Sequence, residues 1–233
     1  MDATSHYRQL FFSLSTPQVS DALEPFGVVS GLAGIRPAVP GQKLFGTAFT
    51  VAKEINHDPN YREAAEFVDQ VPAGQVVVID NLGIETSTCW GGILTHCAKK
   101  RGLGGTVING LNRDIDEIRV LEYPVFSKGF FMVTGKGRTR LKDVNVPLTI
   151  QGVTIAPGDF LFGDDNGVVV IPARILSEVA ERASAISAVE DGIVDLILRE
   201  NSSLREARER LRYSDLTRAG VPLSVKNPGR ERR

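Results

Sequence analysis

Arg113, Asp114 and Glu117 lie within five residues of one another, and Arg113 follows Gly92 by 21 positions in a stretch that opens with Gly91-Gly92. A guanidinium can clamp a carboxylate through two parallel hydrogen bonds. An aspartate beside it is a hard oxygen ligand, and its place next to a bound anion makes sense where a divalent cation bridges the two. Glycines at a helix start expose unpaired amides with no Cβ to obstruct approach, which also suits an anionic group. The combination describes a site for a small, metal-chelated acid. A surface Arg-Asp turn, with glycines that merely fit a tight turn upstream, accounts for the same residues.

The elements that must position these groups follow from periodicity. Ile93, Leu94, Cys97 and Ala98 recur along one face of a helix, Lys99, Lys100 and Arg101 occupy its last turn, and Gly102 follows as a C-cap. Residues 75–80 (QVVVID) and 105–109 (GTVIN) read as buried strands on either side of that helix, with Gly110-Leu111-Asn112 as the turn after the second. Such a β-α-β unit is right-handed and brings both strand C-termini to one edge of a parallel sheet, the edge where open α/β sheets bind ligands. The helix start at Gly91-Gly92 and the pair Arg113-Asp114 are thereby expected at one crevice.

The run GG-x-L from Gly91 to Leu94, followed by G-x-x-G-x-V-x-x-G-x-x-R-D from Gly102 to Asp114, resembles the RraA-like family, which includes 4-hydroxy-4-methyl-2-oxoglutarate aldolases. Residues 16–23 (TPQVSDAL), 44–51 (LFGTAFTV), 124–126 (PVF) and 153–172 (VTIAPGDFLFGDDNGVVVIP) resemble further family blocks in the same order. The resemblance implies an α/β single domain, a mixed sheet flanked by helices in a swivelling β/β/α arrangement, with a C-terminal helical arm. It implies a lyase that releases pyruvate from 2-oxo acids, by oxaloacetate decarboxylation or by retro-aldol cleavage, with Mg²⁺ or Mn²⁺ as cofactor. Asp114 would anchor the cation, with Glu117 and Glu190 as further ligands through water. Arg113 and the backbone around Gly91, Gly92, Ile93 and Leu94 would hold the substrate carboxylate. Arg113, Asp114 and Glu117 are the expected catalytic residues. A homotrimer or homohexamer is implied as well, in which Glu190 approaches a neighbour's site; an exposed acidic pair, Glu190-Asp191, is the plainer reading.

Two departures matter. Relatives commonly carry an acid at the second position of the GG-x-L block, where this chain has Gly92. That puts the aldolase base in doubt, so decarboxylation is expected to exceed aldol cleavage unless Glu117 supplies the missing carboxylate. Asn109 stands where many relatives have Asp, which reads as a structural variation. The competing class is non-catalytic, since the family's namesake resembles a regulator of ribonuclease E. A methyltransferase role finds no support, because no glycine-rich loop is followed by a ribose-binding acid in the required arrangement.

The rest of the chain bounds these readings. At 233 residues, 42% hydrophobic and 24% charged, it is long enough for one sizeable core. A net charge of −1 gives no overall pull toward nucleic acid or anionic lipid. Two cysteines, Cys89 and Cys97, fit neither zinc spacing nor a disulfide scaffold. No stretch approaches a membrane span and no leader pattern opens the chain, so the cytoplasm is the default. Thr16 is expected to cap a helix with Pro17 at its first position. Residues 41–53 should form a strand, 61–70 a short helix, and 123–129 a strand near the sheet edge. The basic stretch Lys136, Arg138, Arg140, Lys142 reads as a solvated loop. Asp159, Asp164 and Asp165 belong to hairpin turns. From Ile175 to Ile197 runs an apolar helical stripe longer than one small sheet needs, so part of it should face another subunit. A capping box at Ser203–Glu206 opens a last helix. The domain is expected over residues 1–220, with a disordered tail over 221–233.

Overall fold

The computed structural model describes residues 3–61 and 65–216; the expected tail from 221 lies outside them. In chain order the elements are helices α1 (Ala3–Phe12) and α2 (Thr16–Leu23), then strands β1 (Arg36–Pro37), β2 (Leu44–Ile55), β3 (Val76–Asp80) and β4 (Thr88–Trp90). Helix α3 (Gly92–Lys100), β5 (Gly105–Asn112), α4 (Ile115–Leu121) and β6 (Val125–Phe130) follow. The chain continues through β7 (Thr139–Val144), β8 (Leu148–Ile150), β9 (Val153–Ile155), β10 (Phe160–Asp164) and β11 (Gly167–Ile171). Helices α5 (Leu176–Glu200), α6 (Leu204–Arg210) and α7 (Tyr213–Leu216) end the described chain.

This is the expected α/β fold, a mixed sheet flanked by helices with a C-terminal helical arm. Strands run in the order β1-β6-β5-β3-β2-β10-β11, with β4 added to β5 and β7 to β2. β2, β3, β5 and β6 are mutually parallel; β1, β7, β10 and β11 pair antiparallel. The sheet curls until it nearly closes. The amide of Leu32 donates to Val168 O (3.0 Å) and that of Val170 to Ser30 O (2.9 Å), tying the segment before β1 to β11.

Side-chain alternation then sorts the core into three layers. Val76, Val78, Val107, Phe126, Leu161, Val168 and Val170 point into the curled sheet, plugged by Leu148, Ile150, Val153 and Ile155 of the β8–β9 hairpin. On the outside, Phe45, Phe162, Val169 and Ile171 pack under α1, α2 and the α5–α7 arm. Phe49, Val51, Val77, Ile79 and Ile108 pack under α3 and α4. Val76 to Ile79 are fully buried because both faces of β3 are covered.

Several expectations change in detail. Ser15, not Thr16, caps α2: its hydroxyl accepts from Gln18 N, and Gln18 Oε1 accepts from Ser15 N (3.0 Å), a capping box. Thr16 is instead committed to Asp164, donating through its amide (2.8 Å) and hydroxyl (2.7 Å). Burial pushes the Asp164 carboxyl up, but the hydrogen bonds from Thr16 and Asn166 outweigh it and hold the group below its usual value. Gly110-Leu111-Asn112 is no turn. A register shift after Ile108 lets β5 resume, with Leu111 and Asn112 opposite Gly129 and Phe130 of β6, and Gly110 adopts φ +153° there. Residues 66–70 form a 3₁₀ turn, while 62–64 lie outside the described residues. The basic stretch is a loop only to Arg138; from Thr139 it is β7, antiparallel to β2.

Most of the apolar stripe of α5 is covered within the chain. Val179, Ala183, Ile186, Val189 and Ile193 join one core with Phe11 of α1, Val19 and Leu23 of α2, Ala207 of α6 and Leu216 of α7. Helices α1, α2, α6 and α7 lie over most of it, so the length of the stripe does not by itself require a second subunit. Val194 and Leu198 remain exposed, at 51% and 76%. No helix among the described residues is long and apolar enough to cross a membrane.

Candidate active site at the start of the third helix

β5 carries the chain to Arg113, and β4 delivers it to Gly91, the extended N-cap of α3. The two ends are stitched together. Arg113 N donates to Trp90 O (3.0 Å), and the Trp90 indole donates to Thr95 Oγ1 (2.9 Å), whose hydroxyl donates to Gly91 O (2.9 Å). Asp114 sits at φ +61°, a conformation that aspartate tolerates better than most residues, and its backbone opens α4. Its side chain does not cap α4. It reaches across to α3, where Oδ2 accepts from Gly92 N at 2.7 Å and lies 3.4 Å from Arg113 Nε. An anion already occupies part of the helix start, so the Gly92 amide expected to hold substrate is committed to Asp114. The amides of Ile93 and Leu94 remain in that first turn.

Side chains at Gly91 and Gly92 would displace the polar groups that face them. A Cβ at Gly91 would come within 2.6 Å of Asp114 Oδ2 and 3.0 Å of Arg113 Nε. A Cβ at Gly92 would stand 1.8 Å from Glu117 Oε2. Helix α4 thus lays the Glu117 carboxylate over the place where a residue-92 side chain would start. The doubt raised by Gly92 rested on a missing carboxylate, and Glu117 brings one to that spot. His96, one turn along α3, is 3.7 Å from the same Glu117 oxygen. Both side chains are more than half exposed.

Next to this corner is a cavity of about 460 Å³ lined by five of the expected residues, Gly91, Gly92, Ile93, Leu94 and Arg113, and by Trp90; Asp114 and Glu117 are not part of its lining. It is also lined by Lys53, Thr88, Thr134 and Lys136, which were not expected there. Lys53 reads as one more residue of a strand, and Lys136 as part of a solvated loop; only the sheet order brings them to Arg113. A larger concavity, about 710 Å³, lies on the α6–α7 arm. Its arginines are engaged locally, Arg205 with Glu209, Arg212 with Asp215, and Arg208 over the Tyr213 ring, which leaves the smaller cavity as the candidate site.

Glu190 does not join the site within this chain. It accepts from Gln18 Nε2 at 2.9 Å and sits beside Tyr213, in the helical layer over β10 and β11 rather than the one that holds α3 and α4. Asp159 is occupied with turn amides, and Asp165 accepts from Gly41 N. No group of three or more His, Cys, Asp or Glu side chains converges to hold a metal among the described residues. Asp114 and Glu117 supply two carboxylates at one partly exposed corner. That donor set fits Mg²⁺ or Mn²⁺, hard cations that retain several waters and need one or two carboxylates.

Protein DlpA of Legionella pneumophila is 40% identical over 210 residues, 89% of this chain, and this chain spans about a third (34%) of that relative's length. A protein of Halalkalibacterium halodurans named as a putative 4-hydroxy-4-methyl-2-oxoglutarate aldolase is 32% identical over 78% of this chain and 83% of its own. The crystal structure of an uncharacterized protein from Pseudomonas syringae superposes with a TM-score of 0.80 at 42% identity, covering 88% of this chain and 97% of that one. The model of the RraA-like family, described as Aldolase/RraA, matches residues 16–170, which hold both glycines, the Arg113-Asp114 pair and Glu117, and the chain belongs to that family.

Proposed function

We propose that this protein is a divalent-metal-dependent carbon–carbon lyase that releases pyruvate from 2-oxo acids. The observation that carries the reading is the Glu117 carboxylate lying over Gly92, beside Asp114 and Arg113 at a helix start. Asp114 and Glu117 would hold Mg²⁺ or Mn²⁺, which when bound supplies electrophilic stabilisation of negative charge on the 2-oxo group. Arg113 and the amides of Ile93 and Leu94 hold the C1 carboxylate and orient the neighbouring carbonyl.

In retro-aldol cleavage of a 4-hydroxy-2-oxo acid, Glu117 takes the proton of the C4 hydroxyl, directly or through a water. The C3–C4 bond breaks as C4 becomes a carbonyl, and the electron pair passes to C3 and the C2 oxygen as pyruvate enolate. Protonation at C3 completes pyruvate. With oxaloacetate the same bond breaks with loss of CO₂ and no hydroxyl proton is removed. Because Glu117 stands where a base is required, aldol cleavage joins decarboxylation as an expected activity.

The test is pyruvate release from 4-hydroxy-4-methyl-2-oxoglutarate and from oxaloacetate. Excess chelator should abolish it and Mg²⁺ or Mn²⁺ should restore it; turnover that ignores the chelator refutes the metal-dependent reading. A solved Streptomyces coelicolor relative, 25% identical with a TM-score of 0.71, is described as an unusual member of the RNase ES inhibitor RraA protein family, which makes a ribonuclease-regulating role the second reading. A cavity whose charged lining is cationic, with Asp114 and Glu117 set against Gly91 and Gly92 of its wall, favours the enzyme, because a regulator's contact surface has no need of it. The family further suggests a homotrimer or homohexamer in the cytoplasm. Phe130 and Met132, 66% and 75% exposed at the end of β6, offer an apolar surface for such assembly, and sedimentation as a monomer at micromolar concentration contradicts it.

A further inference from the structure

The two carboxylates of the corner are held very differently. Asp114 accepts from the Gly92 amide at 2.7 Å and faces Arg113 at 3.4 Å. Glu117 has neither kind of anchor. It is the third residue of the seven-residue helix α4, and its side chain is 56% exposed. The cations around it are committed elsewhere: Arg119 pairs with Asp116 at 2.9 Å, Lys99 donates to Leu121 O, and Arg113 faces Asp114. Among the described residues, the titratable neighbour left within ion-pair distance of Glu117 is His96. A glutamate turns about three side-chain bonds, so a carboxylate this exposed samples many positions unless something holds it.

The period of α3 places His96 to do so. It follows Gly92 by four residues, so the two share one face of the helix, a turn apart. Gly92 clears the space that Glu117 Oε2 enters, 1.8 Å from where a Cβ would stand. His96 Nε2 lies 3.7 Å from the same oxygen. That separation is longer than a hydrogen bond, but a closure of about 0.7 Å, or one bridging water, makes the contact. The glycine and the histidine therefore bracket the carboxylate, one by vacating a position and the other by offering a donor beside it. For stability the pair counts little, because both partners are more than half exposed. Its consequence is orientation.

We infer that His96 is a positioning residue for Glu117, restricting the carboxylate to the place over Gly92 from which it reaches the substrate hydroxyl. The inference rests on the lyase reading for the role of Glu117 as base. His96 acts through Glu117 alone. Oxaloacetate decarboxylation, which removes no hydroxyl proton, therefore depends on it less than aldol cleavage does.

The first test is crystallographic and independent of turnover. In the parental protein the Glu117 carboxylate should occupy one position over Gly92, and in His96→Ala it should spread over several. His96→Gln, whose Nε2 reaches about as far as the imidazole donor, should restore the single position. A dispersed carboxylate in the parental protein, or an undisturbed one in His96→Ala, overturns the inference. The second test is kinetic, at saturating Mg²⁺ with both substrates. His96→Ala should lower kcat for 4-hydroxy-4-methyl-2-oxoglutarate by about tenfold, with KM and oxaloacetate decarboxylation changed by less than about threefold. His96→Gln should recover most of that loss. Lys100→Ala, an exposed position one further turn along α3, should match the parental protein throughout. In a Glu117→Gln background His96→Ala should cost nothing more, because the two residues act as one unit. Equal losses with both substrates, or the full loss repeated in the Glu117→Gln background, make His96 a general structural residue and overturn the inference. Glu117 ordered by His96 in the crystals, together with parental aldol turnover in Glu117→Gln or no pyruvate from either substrate, overturns the lyase reading of Glu117 and leaves the positioning contact.

Discussion

Replacing Gly92 by alanine adds a single methyl group. The Glu117 carboxylate, the end of a flexible and half-exposed side chain, must swing aside for it, a change cheap for folding but large for the position of that group. The new Cβ would lie 1.8 Å from Glu117 Oε2, whereas ordinary contact begins near 3.4 Å, so the carboxylate must retreat by roughly 1.5 Å. A displacement of about 1 Å in a catalytic group can cost about 10²-fold, and a positioned base contributes about 10²–10⁴-fold. Gly92→Ala should therefore lower kcat/KM for 4-hydroxy-4-methyl-2-oxoglutarate by about 10²-fold, and Glu117→Gln by at least as much. Oxaloacetate decarboxylation, which removes no hydroxyl proton, should fall less in both. Gly92→Asp alone sets a second carboxylate against Glu117; at about 4 Å in a largely solvated site the repulsion is about 1 kcal/mol. Combined with Glu117→Ala, however, Gly92→Asp relocates the carboxylate instead of duplicating it, and should recover at least tenfold of the activity lost in Glu117→Ala. The assay is coupled pyruvate detection with both substrates at saturating Mg²⁺. Parental aldol activity in both Gly92→Ala and Glu117→Gln, or a double variant no better than Glu117→Ala, refutes the assignment of Glu117.

Arg113→Lys keeps the charge but loses the planar fork, and should cost about 2–4 kcal/mol in kcat/KM, whereas Asp114→Asn should chiefly raise the metal concentration needed for half activity. Near-parental kcat/KM of both at saturating metal would place the chemistry elsewhere. The Asp164 contribution has a definite sign with pH. Its folded-state value is lowered, so the stabilisation is complete above the unfolded value of 3.8 and is lost as pH falls through the lower folded value. Asp164→Ala should destabilise by about 2–4 kcal/mol at neutral pH, because both Thr16 donors lose their partner. Denaturant titrations from pH 7 to pH 2 should show the parental difference shrinking below about pH 4; a constant difference contradicts it.

Local pattern made much of this protein legible. The helical spacing after Gly91-Gly92 and the unbroken apolar runs of β3 and β5 specify a β-α-β unit, although the face α3 buries is Gly92, Thr95 and Ala98, while Ile93, expected on it, is 84% exposed. Parallel strands joined by a helix put their C-termini on one edge, so Gly91-Gly92 and Arg113-Asp114 meet there as the sequence implies. Other features depended on partners distant in the chain. Whether residues 110–112 turn or continue a strand was decided by β4 and β6, which pair with β5 across its bulge. Thr16 lost the cap of α2 to Ser15 because Asp164, 148 positions away, claims both of its donors. The stripe on α5 was read correctly as buried, but α1, α2, α6 and α7 cover it, and no periodicity within one helix names its cover.

The sequence by itself therefore determined the central unit, the fold class and the Arg113-Asp114 corner. Only the tertiary structure decided that Asp114 caps α3 and that Glu117 fills the space above Gly92. It also decided that Lys53 and Lys136 share a cavity with Arg113. Side-chain type and short-range spacing state which face of an element is buried. Which faces meet, and which charges then converge, is set by the order in which strands pair and the angle at which helices close over them.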